Sequence, residues 1–280
     1  MNPSSLQNDR AAVLQTLHDA PGIFVIPNPW DAGSAKILAS LGFKALATTS
    51  AGLSFSIGKP DGDGVVNLKE ALDNVRSIAA ATSLPLSADL ENGYGDSPDA
   101  CASAILLAAE AGAVGGSIED ATGRRKDPIY SLELSVERVK AAAAAARSLP
   151  FHFTLTARAE NLIHGRPDLP DTIRRLVAFA EAGADVLFAP GLTTRDEIVA
   201  VVKAVAPKPV NVVMGLSRGS FTVEELGDMG VRRVSLGSSL SRIAYGAFLT
   251  AAQEISQKGT FSFAQEAMPY ADLNSLFRSV

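Results

Sequence analysis

One cysteine in 280 residues leaves no partner for a disulfide within the chain, and Cys101 suits a reducing compartment. Positive charge is not in excess either: 25 lysines and arginines face 30 aspartates and glutamates, a net charge of −5. That balance carries no electrostatic footprint for nucleic acid or an anionic membrane. The start, Met1-Asn2-Pro3-Ser4, has neither the basic n-region nor the apolar h-region of a secretory signal. No apolar run is long enough to span a bilayer, and the alanine block 141–146, between Lys140 and Arg147, reads as a helix interior. A cytoplasmic protein without nucleic-acid or membrane partners is expected. What is present, 47% hydrophobic and 20% charged residues, describes an ordinary globular core.

Apolar strand candidates fall at 23–26, 45–48, 84–88, 114–118, 152–156, 185–188, 210–213 and 232–236. Helix-period stretches lie between and after them, at about 31–41, 67–81, 98–111, 131–147, 169–182, 194–205, 222–229 and 239–256, with a polar-faced helix over 5–19 in front. Strand and helix alternating eight times predict an α/β fold, a (β/α)8 barrel, over an open doubly wound sheet. Leu41-Gly42, Ala111-Gly112, Ala182-Gly183 and Met229-Gly230 each end a helix shortly before a strand. Glycine at the left-handed position after a helix is the economical stop, and its fourfold use argues for one repeated architecture. A single domain is expected, with its core over about 21–256 and a helical tail over 257–280. The Gly-, Ser- and Asp-rich stretch 50–66 reads as a mobile lid.

Barrel chemistry sits at the C-terminal strand tips. The third tip is the most telling: Pro85-Leu86-Ser87-Ala88-Asp89-Leu90-Glu91-Asn92-Gly93-Tyr94-Gly95 delivers two carboxylates, Asp89 and Glu91, to the edge of a turn. The fourth tip adds Glu119 and Asp120, the fifth Arg158 and Glu160. The second carries Thr49, Ser50 and Ala51, and the seventh strand holds Asn211. Oxygen-only ligands favour Mg²⁺, with Mn²⁺ as the alternative, over zinc. Arg158 is suited to clamp an anionic group, and backbone amides at 49–51 to face a developing oxyanion. The competing reading is that Glu119 and Arg158 form salt bridges around the rim.

Other motifs fail on their context. Gly215-Leu216-Ser217-Arg218-Gly219 matches a nucleophile elbow, but His18, His152 and His164 all precede it, where that triad order needs one downstream. Asp61-Gly62-Asp63-Gly64 resembles a calcium loop, yet Leu72 stands where a bidentate glutamate belongs. No lysine falls at a strand tip, which disfavours a Schiff-base aldolase. Cys101 lies on a helix away from the mouth. The loops Gly215–Ser220 and Gly237–Ser239 keep a phosphosugar-binding barrel open as an alternative.

From Asn28 to Leu240 the sequence resembles the isocitrate lyase/phosphoenolpyruvate mutase superfamily. The segment 85–95 is similar to its P-x-x-x-D-x-D-x-G-Y-G metal motif, with Glu91 in place of the second aspartate. Ile118-Glu119-Asp120 matches its I/L-E-D tip. Thr156-Ala157-Arg158-Ala159-Glu160, followed by Ala182-Gly183-Ala184-Asp185, resembles its A-R-x-E…A-G-A-D segment, and Gly58-Lys59-Pro60-Asp61 its gating loop. The resemblance implies a barrel whose last helix is swapped between subunits of a homodimer or homotetramer. It implies Mg²⁺ held by Asp89 directly, with Glu91 and Glu119 acting through water. It further implies bond cleavage beside a small 2-oxo or 2-hydroxy carboxylate through a pyruvate-like enolate. Thr49, Asp61 and Arg158 are then the catalytic groups, and Thr49, Ser50, Ala51, Arg158 and Asn211 the substrate contacts.

Departures from the pattern narrow the chemistry. The loop Ala121-Thr122-Gly123-Arg124-Arg125-Lys126-Asp127-Pro128 lacks the Cys and His that serve isocitrate-type cleavage. An ungapped count puts Arg125 and Asp127 where phosphoenolpyruvate mutases carry Lys and Asn, and Pro190 where they carry His. Carbon–carbon lysis or oxaloacetate-type decarboxylation is therefore ranked above phosphonopyruvate or phosphoenolpyruvate chemistry. A barrel that binds a 2-oxo acid without turnover is the non-enzymatic alternative. Arg124 and Arg125 are open to two roles, gripping an anionic substrate arm or forming a solvated basic loop.

Overall fold

The computed structural model describes residues 3–278 except 63 and 216–220. Eight parallel strands form one sheet: β1 (Phe24–Ile26), β2 (Leu46–Ala47), β3 (Leu86–Asp89), β4 (Gly115–Glu119), β5 (Thr154–Arg158), β6 (Val186–Phe188), β7 (Val210–Val213) and β8 (Arg233–Ser235). Their order is β1-β8-β7-β6-β5-β4-β3-β2, so the first two strands flank the seam. The Ala47 N–H donates to Pro27 O across it at 3.1 Å. Asn28 reinforces that closure: its amide donates to Thr48 O at 2.9 Å, and its Oδ1 accepts from the Leu236 and Gly237 N–H groups. The (β/α)8 barrel expected from the alternation is the fold.

The outer helices are α2 (Ala32–Ser40), α4 (Leu68–Ala81), α5 (Pro98–Glu110), α6 (Leu132–Ser148), α7 (Leu169–Glu181), α8 (Arg195–Val205), α9 (Val223–Asp228) and α10 (Ser239–Lys258). Asp31, Asn67, Ser97, Ser131, Asp168, Thr194 and Thr222 each cap a helix N-terminus through the side chain, satisfying amides that would otherwise be orphaned at the catalytic face. Gly42, Gly112, Gly183 and Gly230 all have positive φ. At the last three, a Cβ would also stand within 3.0 Å of a neighbouring side chain, so both backbone and packing require glycine.

One feature differs from the sequence expectation. The stretch 50–66 does not begin as a lid: Ser50–Ser56 is a helix, α3. The Thr49 hydroxyl caps it by accepting from Gly52 N–H at 3.2 Å. Gly52 in turn fits where a Cβ would lie 2.5 Å from Thr49 Cγ2 and 2.9 Å from Trp30 Cβ. The described residues that follow, 57–62 and 64–67, have no regular structure. The tail ends in α11 (Tyr270–Arg278), which packs on α2 of its own chain, with Lys36 Nζ donating to Phe277 O at 3.2 Å. Helix α10 meanwhile presents Ile243, Phe248 and Leu249 outward, Phe248 at 71% exposure.

Helix α1 (Pro3–Asp19) packs Ala11 and Leu14 with Ile26 of β1 and with Ala45 and Val114 just before β2 and β4, closing the end of the barrel opposite the tips. Inside, many of the side chains that repeat every second residue are polar where barrels usually carry bulky aliphatics: Ser87, Ser117, Thr156, Asn211, Arg233 and Ser235, beside apolar Ile26, Phe188 and Val213. A small polar lining leaves room for a chamber. No helix of the described residues is long and apolar enough to cross a membrane.

Candidate active site

Two adjoining chambers open at the strand tips. The inner one, about 210 Å³, is lined by Thr49, Ser50, Ala51, Asp61, Asp89, Arg158 and Asn211, with Phe188, Pro190 and Arg233. The outer one, about 590 Å³, lies under the 57–67 loop and is lined by Asp61, Glu91, Tyr94, Glu119, Arg158, Glu160 and His164. Every site residue expected from the sequence thus lines one chamber or the other, and Ser50, Asp61 and Arg158 line both.

Arg158 is the hub. It meets Asp89 Oδ1 at 2.9 Å, Glu119 Oε2 at 3.1 Å and Glu160 Oε1 at 2.9 Å, all at low exposure. The rim salt bridge weighed against function is therefore real, but it is one arm of a three-carboxylate cluster inside the site. Burial works against the guanidinium's charge, yet Glu119, Glu160 and Asp89 more than reverse this and hold its pKa well above normal. The Phe188 ring lies 5.2 Å from its Cζ. Asp89 is held on its other side: its N–H donates to Thr48 Oγ1 at 2.8 Å, and its Oδ2 accepts the Ser50 N–H at 3.0 Å. The Ser50 amide, expected to face an oxyanion, is thus engaged by Asp89, and the Thr49 hydroxyl is occupied as the α3 cap.

The carboxylates crowd one another. Burial, then Asp89 and Asp61, push the Glu91 carboxyl up to about 7. Burial, with Glu160, Asp89 and Glu91 nearby, raises Glu119 well above the usual range despite Arg158. Asp61 is raised by burial and by Asp89. Uncompensated negative charge of this kind is what a divalent cation neutralises, and an all-carboxylate donor set suits a hard one. Among the described residues no three His, Cys, Asp or Glu side chains converge tightly enough to enclose an ion by themselves. The residues therefore fit Mg²⁺ completed by water, not a closed protein cage.

The supporting residues were mostly missed in the sequence. Asp120, counted as a tip carboxylate, turns outward: it accepts from Glu160 N–H at 2.8 Å and pairs with Arg175 at 3.0 Å, bracing the base of the Arg158 cluster. Burial raises its pKa to about 6. Buried Arg138 of α6 donates to Gly95 O at 2.7 Å and Asp96 O at 2.6 Å, and also to Asn92 O. It thereby ties down the turn in which Glu91 and Tyr94 adopt φ of 46° and 57°. Arg124 pairs with Asp96 at 2.8 Å on the exterior and Arg125 is exposed, and neither lines a chamber. Cys101 is buried against Gly93, as expected of a packing residue. The elbow-like segment and the first half of the phosphate cradle fall largely on 216–220, and the calcium-like loop includes 63, all outside the described residues, while Gly237 and Ser238 of the second half line the inner chamber.

Comparison with known proteins agrees with this geometry. Residues 14–256 match the family model described as phosphoenolpyruvate phosphomutase. A candidate lyase/mutase of Burkholderia cenocepacia J2315 is 58% identical in its solved structure, with a TM-score of 0.94, covering 98% of this chain and 97% of that one. A solved oxaloacetate acetylhydrolase, in complex with its product oxalate, is 28% identical with a TM-score of 0.86, covering 95% and 93%. An oxaloacetate decarboxylase of Bradyrhizobium diazoefficiens is 32% identical over 201 residues, 70% of this chain and 68% of that protein. The chain belongs to the phosphoenolpyruvate phosphomutase family, and with it to the PEP mutase/isocitrate lyase superfamily of lyases and mutases.

Proposed function

We propose that the chain is a Mg²⁺-dependent lyase that breaks a carbon–carbon bond beside the 2-oxo group of a small carboxylate, with oxaloacetate-type decarboxylation as the preferred reaction. The observation that carries this reading is the composition of the inner chamber. Arg158 is tied up with three carboxylates, while Phe188, Pro190 and Val213 supply an apolar wall beside it. Such a wall favours release of CO₂, a neutral product, over migration of a phosphoryl dianion. The oxaloacetate chemistry named for two relatives supports the same choice.

Asp89, Glu91 and Glu119 would hold the metal. Mg²⁺, when bound, supplies positive charge beside the 2-oxo group, where negative charge grows as the bond breaks. The chain's own residues do the rest. With Asp89 and Glu119 committed to the metal, the Arg158 N–H groups would serve the oxygen that becomes the enolate. Thr49, Ser50, Ala51 and Asn211 would orient the 2-oxo acid. Asp61, biased towards its protonated form by burial and by Asp89, would return a proton to C3 of the enolate, and its loop would exclude water. The outward apolar residues of α10 support assembly with a second copy, as a homodimer or homotetramer with the last helix exchanged.

The test is pyruvate release from oxaloacetate and, separately, from phosphonopyruvate, with Mg²⁺ or EDTA, beside Asp89→Ala. Metal-dependent release from oxaloacetate that Asp89→Ala abolishes is expected. Release from phosphonopyruvate alone would move the chain to carbon–phosphorus chemistry. Binding of a 2-oxo acid with no product from either would make it a binder.

A further inference from the structure

The floor of the inner chamber is a guanidinium that no carboxylate of the described chain balances. Arg233, at the start of β8, is 5% exposed, and its side chain lines the chamber. Its Nε donates to Asn211 Oδ1 at 2.8 Å, one terminal nitrogen to Thr156 Oγ1 at 3.0 Å, and the other meets His18 Nε2 at 3.3 Å. All three partners are neutral, and they take three of the five N–H groups a guanidinium carries. Burial lowers the pKa of Arg233 to about 9 with no acidic neighbour to raise it, so it is still cationic at neutral pH.

His18 shows that the missing counter-charge is built in. Its Nδ1 lies 2.8 Å from Leu14 O, a group that only accepts, so Nδ1 carries the proton and Nε2 offers its lone pair to Arg233. Burial and Arg233 push the imidazole down to about 3, which keeps it neutral. The ring is fixed edge-on to Phe24, with centroids 5.1 Å apart. The plug helix thus places a neutral acceptor where an aspartate or glutamate would have cancelled the charge. A buried cation kept without a partner is costly, and an apolar residue of similar size would avoid the cost.

The rest of the site shows what that charge is for. Arg158 is already outnumbered by Asp61, Asp89, Glu91, Glu119 and Glu160 around the two chambers. An anion entering meets a negative rim, and Arg233 beneath it is the lining cation that no acid offsets. We propose that Arg233, oriented by His18 and Asn211, recognises a carboxylate of the substrate at the floor of the inner chamber and makes the site select the charged group over its neutral isostere. This rests on the reading of the ligand as a small 2-oxo acid, and it adds a carboxylate subsite opposite the metal ligands.

The probes are oxalate and oxamate, which differ in that one carboxylate is replaced by an amide. Their binding is measured by calorimetry with Mg²⁺ and again in EDTA. The proteins compared are the parent, Arg233→Lys, Arg233→Met, His18→Gln and His18→Asp, each checked for folding by circular dichroism. Arg233→Met should weaken oxalate by about tenfold or more, the weight of one hydrogen bond to a charged group, and oxamate far less. His18→Asp, which leaves Arg233 in place but adds its counter-charge, should do the same. Arg233→Lys and His18→Gln should keep the preference for oxalate. Equal loss of both probes in Arg233→Met would mean a merely structural arginine, and parental oxalate binding by folded His18→Asp would overturn the proposal outright. Should Arg233→Met not fold, His18→Asp decides. A parent that binds oxalate with this charge dependence yet releases no pyruvate sinks the lyase reading and leaves the subsite standing, whereas a parent that binds no oxalate refutes the subsite.

Discussion

Arg138→Met should destabilise the protein by about 3–5 kcal/mol, the range for removing one partner from a buried charged network. The structure supplies the reasoning. Arg138 is 1% exposed and spends its donors on three backbone carbonyls of one turn, those of Asn92, Gly95 and Asp96, with its Cζ 4.2 Å from the centre of the Tyr130 ring. Hydrogen bonds to charged groups are worth roughly 1.5–3 kcal/mol each, and they do not add fully. Met keeps much of the volume but leaves those carbonyls without their donor. The turn also holds Glu91 and Tyr94 in the left-handed region, at about 1–2 kcal/mol per residue, a strain that persists only while the surroundings over-determine it. Urea unfolding by circular dichroism measures the loss, and total stability of about 5–15 kcal/mol leaves room to see it. Because Glu91 rides on the same turn, Mg²⁺ binding should weaken in parallel. A loss below about 1 kcal/mol with an unchanged m-value would refute the idea that Arg138 holds the turn, since a solvent-exposed arginine would behave that way.

Acid should unfold the protein partly through His18. Its folded pKa is depressed to about 3 against an ordinary 6.5, so below pH 6.5 the unfolded chain takes up a proton that the folded one refuses. Stability should fall by up to about 1.4 kcal/mol per pH unit across that window, and His18→Gln should flatten this part of the melting-temperature profile between pH 6.5 and 4. At the surface, Phe248→Asp should shift the protein to a smaller species in light scattering while its circular dichroism spectrum is retained, if the exposed face of α10 joins subunits.

The barrel was legible because its signals are local and repeated. Eight apolar runs, each followed by a periodic stretch, and one glycine junction used four times leave little else to build. Helix α3 escaped because Ser50–Ser56 is composed like a loop, and its helical state is set by the Thr49 cap and the close fit of Gly52 against Trp30. The cap is local, but Trp30 comes from the loop after β1, so no short window of sequence contains both contacts. The tip carboxylates and Arg158 were readable for the opposite reason: position in a strand fixes where they point. The same rule would have exposed Arg233, two residues before inward-facing Ser235, had the strand starts been read as well as the tips. Its partner His18 lies 215 residues away, and only the folded chain joins them. Arg138, within the run Val136-Glu137-Arg138-Val139, is indistinguishable in sequence from a surface helix arginine.

The fourth-strand loop sharpens the chemistry from the other side. Ala121 and Ile129 form an antiparallel bridge, Thr122 N–H donates to Pro128 O at 2.8 Å, and Arg124 is drawn off to Asp96. The loop is closed on itself and contributes Ala121, Thr122 and Gly123 to the outer chamber, none of which can carry a proton between substrate and solvent. Proton transfer must then come from the other lining groups. Tyr94 is a poor donor, since burial and Glu91 raise its pKa and its hydroxyl is engaged with Glu91. Glu91 and Glu119 are assigned to the proposed metal, and Glu160 is tied to Arg158. His164 stands 3.8 Å from Glu160 in the outer chamber alone. Asp61 is the acidic group that lines both chambers, is biased towards holding its proton, and sits on the loop above them. A site without such an acid on this loop and with one on another suits the proposed reaction, which needs a single proton returned to carbon after CO₂ has left. It suits less well a cleavage in which separate groups must remove and return protons.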